Sequence, residues 1–306
     1  MRILITGGGG MVGKNLINHL KILGYNQCFY PSRKELNLIN QNEIAEYIEK
    51  YGIDTIVHCA GKVGGIKLNS QQPFTFLYEN TIIGLNLINI AASYGIKKLI
   101  NISSANIYPI TSTSPLSEKM IGTGPLEEST YGYSLAKLTI CKACRFISSE
   151  YNLHYKTIIP CNLYGPFDKF DKTYGHIVPA AIVKISEAKL IGLPIEIWGD
   201  GKARRELLYV EDLVEFIVFA LENYDRLKPN TNVGSGKDYS IEEIYRNIEN
   251  IINSKQVFTF NRAMPSGNRQ KLLSNRNLED LGWHPKHSLN QGLLKTINFY
   301  QKKNVL

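Results

Sequence analysis

The chain has 306 residues, 43% of them hydrophobic, and can therefore bury a substantial core as one large domain or two closely joined ones. Its net charge of +8 permits nucleic-acid binding, but the densest basic clusters are isolated pairs without interleaved aromatic residues, so we expect no nucleic-acid partner. No apolar run approaches the roughly 20 residues that cross a bilayer, so we expect a cytoplasmic protein with no membrane contact. The five cysteines match neither a disulfide framework nor metal-ligand spacing, so we expect no metal site.

A glycine-rich loop follows the first predicted strand, residues 2–6. Glycines at positions 7, 10 and 13 allow a tight turn, a close approach of the backbone to a pyrophosphate and close packing of the following helix. This helix is predicted to run to residue 23. A flexible loop without a ligand is the alternative, but the strand before it and the helix after it favour a dinucleotide site. The expected cofactor contacts in this loop are Gly7, Gly10, Met11, Val12 and Gly13.

The second predicted strand ends in a basic turn, and this turn selects the cofactor. An NAD-binding fold usually carries a carboxylate about 20 residues beyond the last glycine, where it accepts hydrogen bonds from the ribose 2′-hydroxyl. Residues 29–34 offer no carboxylate but a serine and two cations, which would attract a 2′-phosphate, so NADP(H) is the expected cofactor. A solvated basic turn is the alternative. The expected cofactor contacts are Ser32 and Arg33, followed by Asn37 and Leu38, which begin the segment expected against the adenine.

Strand-like and helix-like segments alternate over the first half of the chain. Short β-rich runs are predicted at 55–59, 98–102 and 155–159, and they alternate with helices predicted at 41–50 and 81–94. Such alternation favours right-handed crossovers and a parallel sheet covered on both faces. We therefore predict an α/β fold, with a doubly wound, parallel-sheet NAD(P)-binding Rossmann domain over 1–165 and a return segment near 202–230. The looser remainder, 166–306, with a helix at 178–188, is predicted to form a smaller, interleaved C-terminal substrate-binding lobe.

Ser104, Tyr133 and Lys137 are the predicted catalytic residues. A phenol has a pKa near 10, so a bare tyrosine is a poor proton donor at neutral pH, and a lysine one helical turn later is expected to bring that pKa toward working pH. A serine hydroxyl at a neighbouring strand end can hold the same substrate oxygen. The Tyr-x-x-x-Lys spacing is weak evidence alone, but together with the glycine loop it predicts hydride transfer in which the tyrosine supplies the proton.

A series of short motifs spans the chain. They are Gly10-Met11-Val12-Gly13, Lys62-Val63-Gly64-Gly65-Ile66, Ile107-Tyr108-Pro109, Asn162-Leu163-Tyr164-Gly165-Pro166, Trp198-Gly199-x-Gly201 leading to Arg205-Glu206, and Leu281-Gly282-Trp283. In this order they resemble the extended short-chain dehydrogenases/reductases, and among these the GDP-4-keto-6-deoxymannose epimerase-reductases, the GDP-L-fucose synthases. The glycine loop and Tyr-x-x-x-Lys define only the broad superfamily, whereas the motifs at 62–66 and 162–166 are far more selective.

The resemblance implies a site as well as a fold. It assigns Ser104, Tyr133 and Lys137 as catalytic, places His176 at the family's acid position, and adds Ala60, Tyr133 and Lys137 to the cofactor contacts. It implies NADP(H), a GDP-linked 4-keto-6-deoxy sugar as substrate, and a homodimer through the helices near 81–94 and 133–151. The residues implied to contact the substrate are Val63, Gly64, Asn106, Asn162, His176, Trp198, Arg205 and Lys271. The alternatives are solvated surface cations for Arg205 and Lys271, and an ordinary core or loop histidine for His176.

Asn106 departs from the family pattern. In the epimerase-reductases that this chain resembles, the position two residues after the catalytic serine holds a cysteine, which acts as the base opposite the histidine acid. An amide in its place cannot accept a proton from carbon. Either another group replaces the thiol, with Cys59 and Cys161 as candidates, or epimerisation is absent and the enzyme only reduces the C4 ketone. We expect the second, with His176 contacting the substrate.

Other functions stay open on the sequence alone. One is a bifunctional GDP-L-fucose synthase, and another is a redox-neutral, NAD-dependent nucleotide-sugar 4-epimerase or dehydratase, which shares the catalytic residues. A further class is a non-catalytic NADP-binding regulator, although intact Tyr133 and Lys137 argue against it. Whether the sugar is a hexose or a heptose also stays open, since relatives of this type serve both kinds of sugar in bacterial surface polysaccharides.

Overall fold

Strands and helices alternate along the chain, which is described by a computed structural model over residues 1–264 and 268–304. The strands are β1 (Ile3–Thr6), β2 (Cys28–Phe29), β3 (Thr55–His58), β4 (Lys98–Ile102), β5 (Lys156–Pro160), β6 (Asn162–Tyr164), β7 (Ile195–Trp198), β8 (Arg204–Tyr209), β9 (Asn230–Val233), β10 (Asp238–Ser240), β11 (Phe258–Asn261) and β12 (Gln270–Lys271). The helices are α1 (Met11–Ile22), α2 (Gln41–Tyr51), α3 (Ile66–Gln71), α4 (Pro73–Ser93), α5 (Tyr131–Glu150), α6 (Ile177–Ile191), α7 (Val210–Glu222), α8 (Ile241–Ile252), α9 (Arg276–Asp280) and α10 (Leu289–Asn304).

The main sheet contains six parallel strands in the order β2-β1-β3-β4-β5-β9. β1 and β3 are buried along their whole length, which matches their continuous runs of apolar and β-branched residues. The chain leaves β1 in one direction to form β2 and crosses back to form β3, so the strand order reverses between β1 and β3. Ligands of open parallel sheets bind in the crevice at such a reversal, outside the carboxyl ends of the strands.

Helices cover both faces of this sheet, as predicted. On one face α1 and α7 pack against the strands through residues such as Leu16 and Phe216. On the other face α2, α4 and α5 bury residues such as Ile44, Leu87 and Ile140. The α/β, doubly wound prediction is thereby confirmed. Within 1–264 and 268–304, no helix has both the length and the apolarity that crossing a membrane requires.

The second lobe has its own sheets and its own core. β8 is central, with β10 antiparallel on one side, β12 parallel on the other, and β6 also paired to it. β7 and β11 form a separate parallel pair. The core of this lobe lies between α6, α8 and α10. α8 begins with a capping box, because the Ser240 hydroxyl accepts from the Glu243 amide while the Glu243 carboxylate accepts from the Ser240 amide.

The chain passes between the two lobes more than once. β6 precedes residue 165 yet pairs with β8, and β8 itself lies inside the predicted return segment although it belongs to the second lobe. The elements that return to the main sheet are α7 and β9, and the buried Trp283 packs beside Phe216 of α7 at 5.1 Å between ring centroids. The division of the chain at 165 and 166 stays a prediction, within a molecule whose lobes are interleaved.

Candidate active site

A cavity of about 640 Å³ lies at the carboxyl ends of β1, β3, β4 and β5 and is closed on its other side by the second lobe. Most of the residues predicted from the sequence meet in its wall. They are Gly7, Gly10, Met11, Val12, Gly13, Ala60, Val63, Gly64, Ser104, Asn106, Tyr133, Lys137, Asn162, His176, Trp198, Arg205 and Lys271. The predicted cofactor, catalytic and substrate residues therefore share one cleft.

The glycine loop has the shape that a pyrophosphate requires. Gly7 adopts a φ of +73°, and a Cβ there would lie 2.6 Å from the Ala60 amide nitrogen. A Cβ at Gly13 would overlap the Gly7 carbonyl oxygen, whereas one at Gly9 would meet open space. Because the first turn of α1 carries no acidic residue, the positive end of this helix is left to attract a phosphate. The loop therefore fits a dinucleotide.

Ser32, Arg33, Asn37 and Leu38 are not brought into the cavity wall. Ser32 and Arg33 are exposed beyond β2, where the Ser32 amide donates to the Glu35 carboxylate at 2.8 Å. Leu38 is buried in the core beside α2, so any cofactor contact there would come from its backbone. Glu35 adds a carboxylate immediately after the basic turn that the sequence interpretation overlooked. The role of this region in cofactor choice stays a prediction.

Ser104, Tyr133 and Lys137 come together where β4 ends beside the start of α5. Ser104 lies two residues beyond β4, where its hydroxyl accepts from the Asn106 main-chain N–H at 3.2 Å and faces the Tyr133 side chain. Lys137 follows Tyr133 by one helical turn, and its ammonium lies 6.0 Å from the Tyr133 ring centroid. It also donates to the Ile102 carbonyl at 2.9 Å, which fixes it against β4.

Burial has the largest effect on the pKa values of Tyr133 and Lys137. It raises the pKa of Tyr133 to about 12, while the nearby Ser104 hydroxyl acts in the opposite direction. Burial also lowers the pKa of Lys137 to about 8, against the opposing influence of Cys59. The expected lowering of the Tyr133 pKa by Lys137 is therefore not the dominant influence. Tyr133 carries its proton at neutral pH, as a proton donor must.

Asn106 and Lys271 bridge the two lobes across the cleft. The Lys271 ammonium, on β12, donates to the Asn106 Oδ1 atom at 2.6 Å. Burial and the nearby Arg205 lower the pKa of Lys271 to about 8, while Glu127 opposes them. Because an ammonium only donates, Lys271 pairs with the side-chain oxygen of Asn106, and the N–H₂ group of Asn106 is not used in this bond. Asn106 thus offers the cleft hydrogen-bond donors.

His176 precedes α6 and faces the cleft beside a carboxylate. Its Nδ1 atom lies 3.9 Å from the Asp168 Oδ1 atom, and its side chain is 44% exposed. Asp168 is buried, and its Oδ2 atom has no hydrogen-bond partner in the described part of the chain. This arrangement suits a hydrogen-bond donor to an anionic or carbonyl oxygen.

Cys59 and Cys161 also line the cavity, but their thiols are poor bases. Burial raises the pKa of Cys59 to about 12, in spite of the nearby Lys137 ammonium. Burial and the Glu206 carboxylate raise the pKa of Cys161 far above its ordinary value. Neither thiol is therefore ready to lose its proton at neutral pH.

Several residues of the wall were missed by the sequence interpretation. Glu127 and Asp168 are the acidic ones, and Lys184 and Tyr245 line the cleft from α6 and α8. None of them belongs to a motif that local spacing reveals. Asp168 follows the Asn162-to-Pro166 motif by two residues, and this proximity is the one signal that could have suggested it.

A dinucleotide loop, a buried Ser-Tyr-Lys group and a cationic second wall in one cleft define the class of tyrosine-dependent oxidoreductases. Residues 3–235 match the NAD dependent epimerase/dehydratase family, and the chain belongs to this family. Its membership confirms the resemblance to extended short-chain dehydrogenases/reductases and the prediction of an enzyme.

Individual relatives cover nearly the whole chain. It is 44% identical to GDP-L-colitose synthase of Yersinia pseudotuberculosis over 302 residues, 98% of each protein. It is 39% identical to GDP-L-fucose synthase of Azorhizobium caulinodans, over 98% of this chain and 96% of that one. It also superposes on the GDP-mannoheptose C4 reductase of Campylobacter jejuni, solved with NADP bound, with a TM-score of 0.88, 27% identity and 98% coverage of both chains.

Proposed function

We propose that this enzyme uses NADPH to reduce the C4 ketone of a GDP-linked 4-keto-6-deoxy sugar, without epimerising the neighbouring carbons. The observation that carries the proposal is the pairing of two groups in one cleft. Ser104 and a protonated Tyr133 lie on one wall, and Lys271 and Arg205 lie on the other, where cations suit a nucleotide diphosphate. The names of the relatives, which include synthases of GDP-linked sugars and a C4 reductase, support this substrate class.

The cofactor site in this proposal is formed by the glycine loop, Ala60 and the backbone near Ser103. When bound, reduced nicotinamide supplies the hydride. Ser104 orients the ketone oxygen and Tyr133 donates the proton to the developing alkoxide. Lys137, held by the Ile102 carbonyl, keeps a positive charge next to the phenolate that forms, and this charge stabilises it. The high pKa of Tyr133 before reaction suits a group that enters the step protonated.

The absence of epimerisation is proposed from Asn106. Removing a proton from the carbon beside a ketone requires a base, and the Asn106 oxygen already accepts from Lys271. Lys271 donates that bond and so does not act as the base. The Cys59 and Cys161 thiols keep their protons because their pKa values are raised. His176 beside Asp168 then serves as a donor to the sugar.

We further propose NADP(H) as the cofactor, a homodimer and a cytoplasmic location. The sugar is either a hexose or a heptose. NADP(H) is supported by the basic turn after β2 and by the NADP in the Campylobacter reductase. The homodimer through α4 and α5 and the cytoplasmic location stay predictions.

The proposal is tested by incubating the protein with NADPH and GDP-4-keto-6-deoxymannose, or its heptose counterpart, in heavy water. NADPH absorbance reports reduction, and NMR of the product reports configuration and deuterium content. We expect NADPH consumption, a C4 alcohol, and no deuterium at C3 or C5. Deuterium with inversion at either carbon would instead establish a bifunctional synthase, and conversion without NADPH consumption would establish a redox-neutral epimerase or dehydratase.

The variant Asn106→Cys sharpens this test, with Asn106→Ser as its control. A thiol at this position would lie near the Lys271 ammonium, which lowers a thiol pKa. We expect Asn106→Cys to acquire deuterium exchange beside the ketone and Asn106→Ser to show none. Equal exchange in the parent and both variants would show that another residue is the base.

A further inference from the structure

A carboxylate of unassigned role lies beside the part of the cleft wall that is formed by the second lobe. Glu196, on β7, is exposed, and its Oε1 atom accepts from the indole N–H of Trp198 at 3.0 Å. Its Oε2 atom accepts from the side-chain N–H₂ group of Asn261, also at 3.0 Å, across the β7–β11 pair. Each carboxylate oxygen has a second acceptor site. Glu196 is therefore held in a fixed orientation with two adjacent acceptor positions still available.

A cation accompanies this carboxylate. The Lys184 ammonium donates to the Glu196 main-chain carbonyl at 3.0 Å and lies 5.1 Å from the Trp198 ring centroid. An ammonium has three donors, so two remain after this bond. Lys184 and Trp198 both line the cavity, together with Ile241 and Tyr245, which add apolar and aromatic surface. The wall thus combines a flat apolar surface with a donor, and the double acceptor of Glu196 lies next to it, held by the indole of Trp198.

This combination matches one nucleobase edge better than the others. Guanine presents the O6 acceptor beside the N1–H and N2–H₂ donors, so an ammonium and a two-oxygen carboxylate complement it at all three positions. Hypoxanthine has O6 and N1–H but lacks the amino group. Adenine presents a donor and an unprotonated ring nitrogen, which a carboxylate repels.

We propose that Glu196, with Lys184 beside it, reads the guanine edge of the nucleotide and so determines which nucleoside diphosphate sugar the enzyme accepts. This inference rests on the proposed function, because it takes the substrate to be a GDP-sugar. Glu196 is held for the task by Trp198 and Asn261, and it acts on binding and not on the hydride step.

The test is calorimetric titration of GDP, IDP and ADP into the protein saturated with NADP, which keeps ADP out of the cofactor site. We expect the parent to bind GDP about 10-fold more tightly than IDP and about 100-fold more tightly than ADP, as charge-assisted hydrogen bonds allow. In Glu196→Gln the GDP-over-IDP preference is expected to fall to about 2-fold. The exposed Glu46→Gln, on α2, is the matched control and should behave as the parent does.

A second variant keeps the inference testable if Glu196→Gln folds poorly. Lys184→Met removes the donor to O6, which GDP and IDP share, so we expect both to bind about 10-fold more weakly with their ratio unchanged. A parent that prefers GDP, with the same preference in Glu196→Gln, overturns the role of Glu196 and leaves the proposed function intact. A parent that binds GDP and ADP equally, or neither, contradicts the GDP-sugar proposal itself.

Discussion

The two walls of the cleft differ in how their side chains are held. On the Rossmann side, Ser104 and Tyr133 follow directly from the end of β4 and the first turn of α5, and Lys137 is fixed by the Ile102 carbonyl. The contacts that place these groups lie within adjacent elements of one sheet layer. The reacting groups are therefore set by regular secondary structure, the most rigid support that a fold offers.

On the other wall, side chains come from short strands and loops and depend on contacts between distant segments. Lys271 lies on the two-residue strand β12, and the Glu206 carboxylate, on β8, accepts from the Leu273 amide at 2.8 Å and the Gly236 amide at 2.7 Å. A buried carboxylate thus holds the segment that carries Lys271. In the proposed function, the first wall performs the chemistry and the second selects the substrate.

The largest expected effect is the loss of the proton donor from the first wall. Tyr133→Phe should lower kcat for ketone reduction about 100- to 10,000-fold, the usual contribution of a positioned general acid, with little change in NADPH affinity. Stopped-flow NADPH oxidation and a cofactor titration measure the two quantities. Tyr131→Phe, exposed on the same helix, is the matched control. Unchanged turnover in Tyr133→Phe would contradict a catalytic role and revive the non-catalytic regulator.

A smaller effect of a different kind is expected from the second wall. Lys271→Met should raise KM for the nucleotide sugar about 10-fold at pH 7 while kcat stays within about 2-fold, because it removes one charge-assisted contact. Since the pKa of Lys271 is lowered to about 8, the parent should lose this advantage as pH rises above 8. Steady-state kinetics from pH 7 to 9.5 would show the parent approaching the variant. The exposed Lys228→Met is the control, and a fall in kcat with an unchanged KM would assign Lys271 to the chemical step.

The smallest effect concerns stability and tests what holds the second wall. Burial raises the pKa of Glu206 to about 7 from 4.5, while hydrogen bonds from the Leu273 and Gly236 amides oppose it. Between these values the folded state retains a proton that the unfolded state has lost, so this group's stabilising contribution is complete below pH 4.5 and disappears as pH rises through 7. The shift corresponds to about 3 kcal/mol.

The measurement is the free energy of unfolding in urea from pH 4.5 to 7.5. Glu206→Gln should lack the decline that Glu206 causes over this window, and the exposed Glu46→Gln should decline in parallel with the parent. A Glu206→Gln profile that runs parallel to the parent would show that Glu206 titrates alike in both states.

The Rossmann side of the cleft could be predicted from the sequence more fully than the opposite wall. β1 and its glycine loop, β3 to β5, and the Tyr133–Lys137 pair are specified within a few residues by alternation, glycine spacing and helical periodicity, and the structure has these elements. Leu38 shows the limit even there, because local pattern does not reveal that its side chain enters the core beside α2. The Asn106–Lys271 bond joins residues 165 positions apart, and Asp168, Glu127 and Glu196 sit in no motif. Such contacts are set by the packing of one lobe on the other, which spacing along the chain does not encode.

The late position of β9 affects how the protein is made. Ile158 of β5 pairs with Thr231 of β9, so the sheet lacks its sixth strand until synthesis has passed residue 233. Until then the growing chain has a fully built cofactor loop but an open hydrogen-bonding edge on β5, and α1 lacks the α7 helix that packs against it. A piece cut at residue 165 to isolate the cofactor-binding part would keep that edge permanently. A piece that is to form the six-stranded sheet must therefore extend past residue 233.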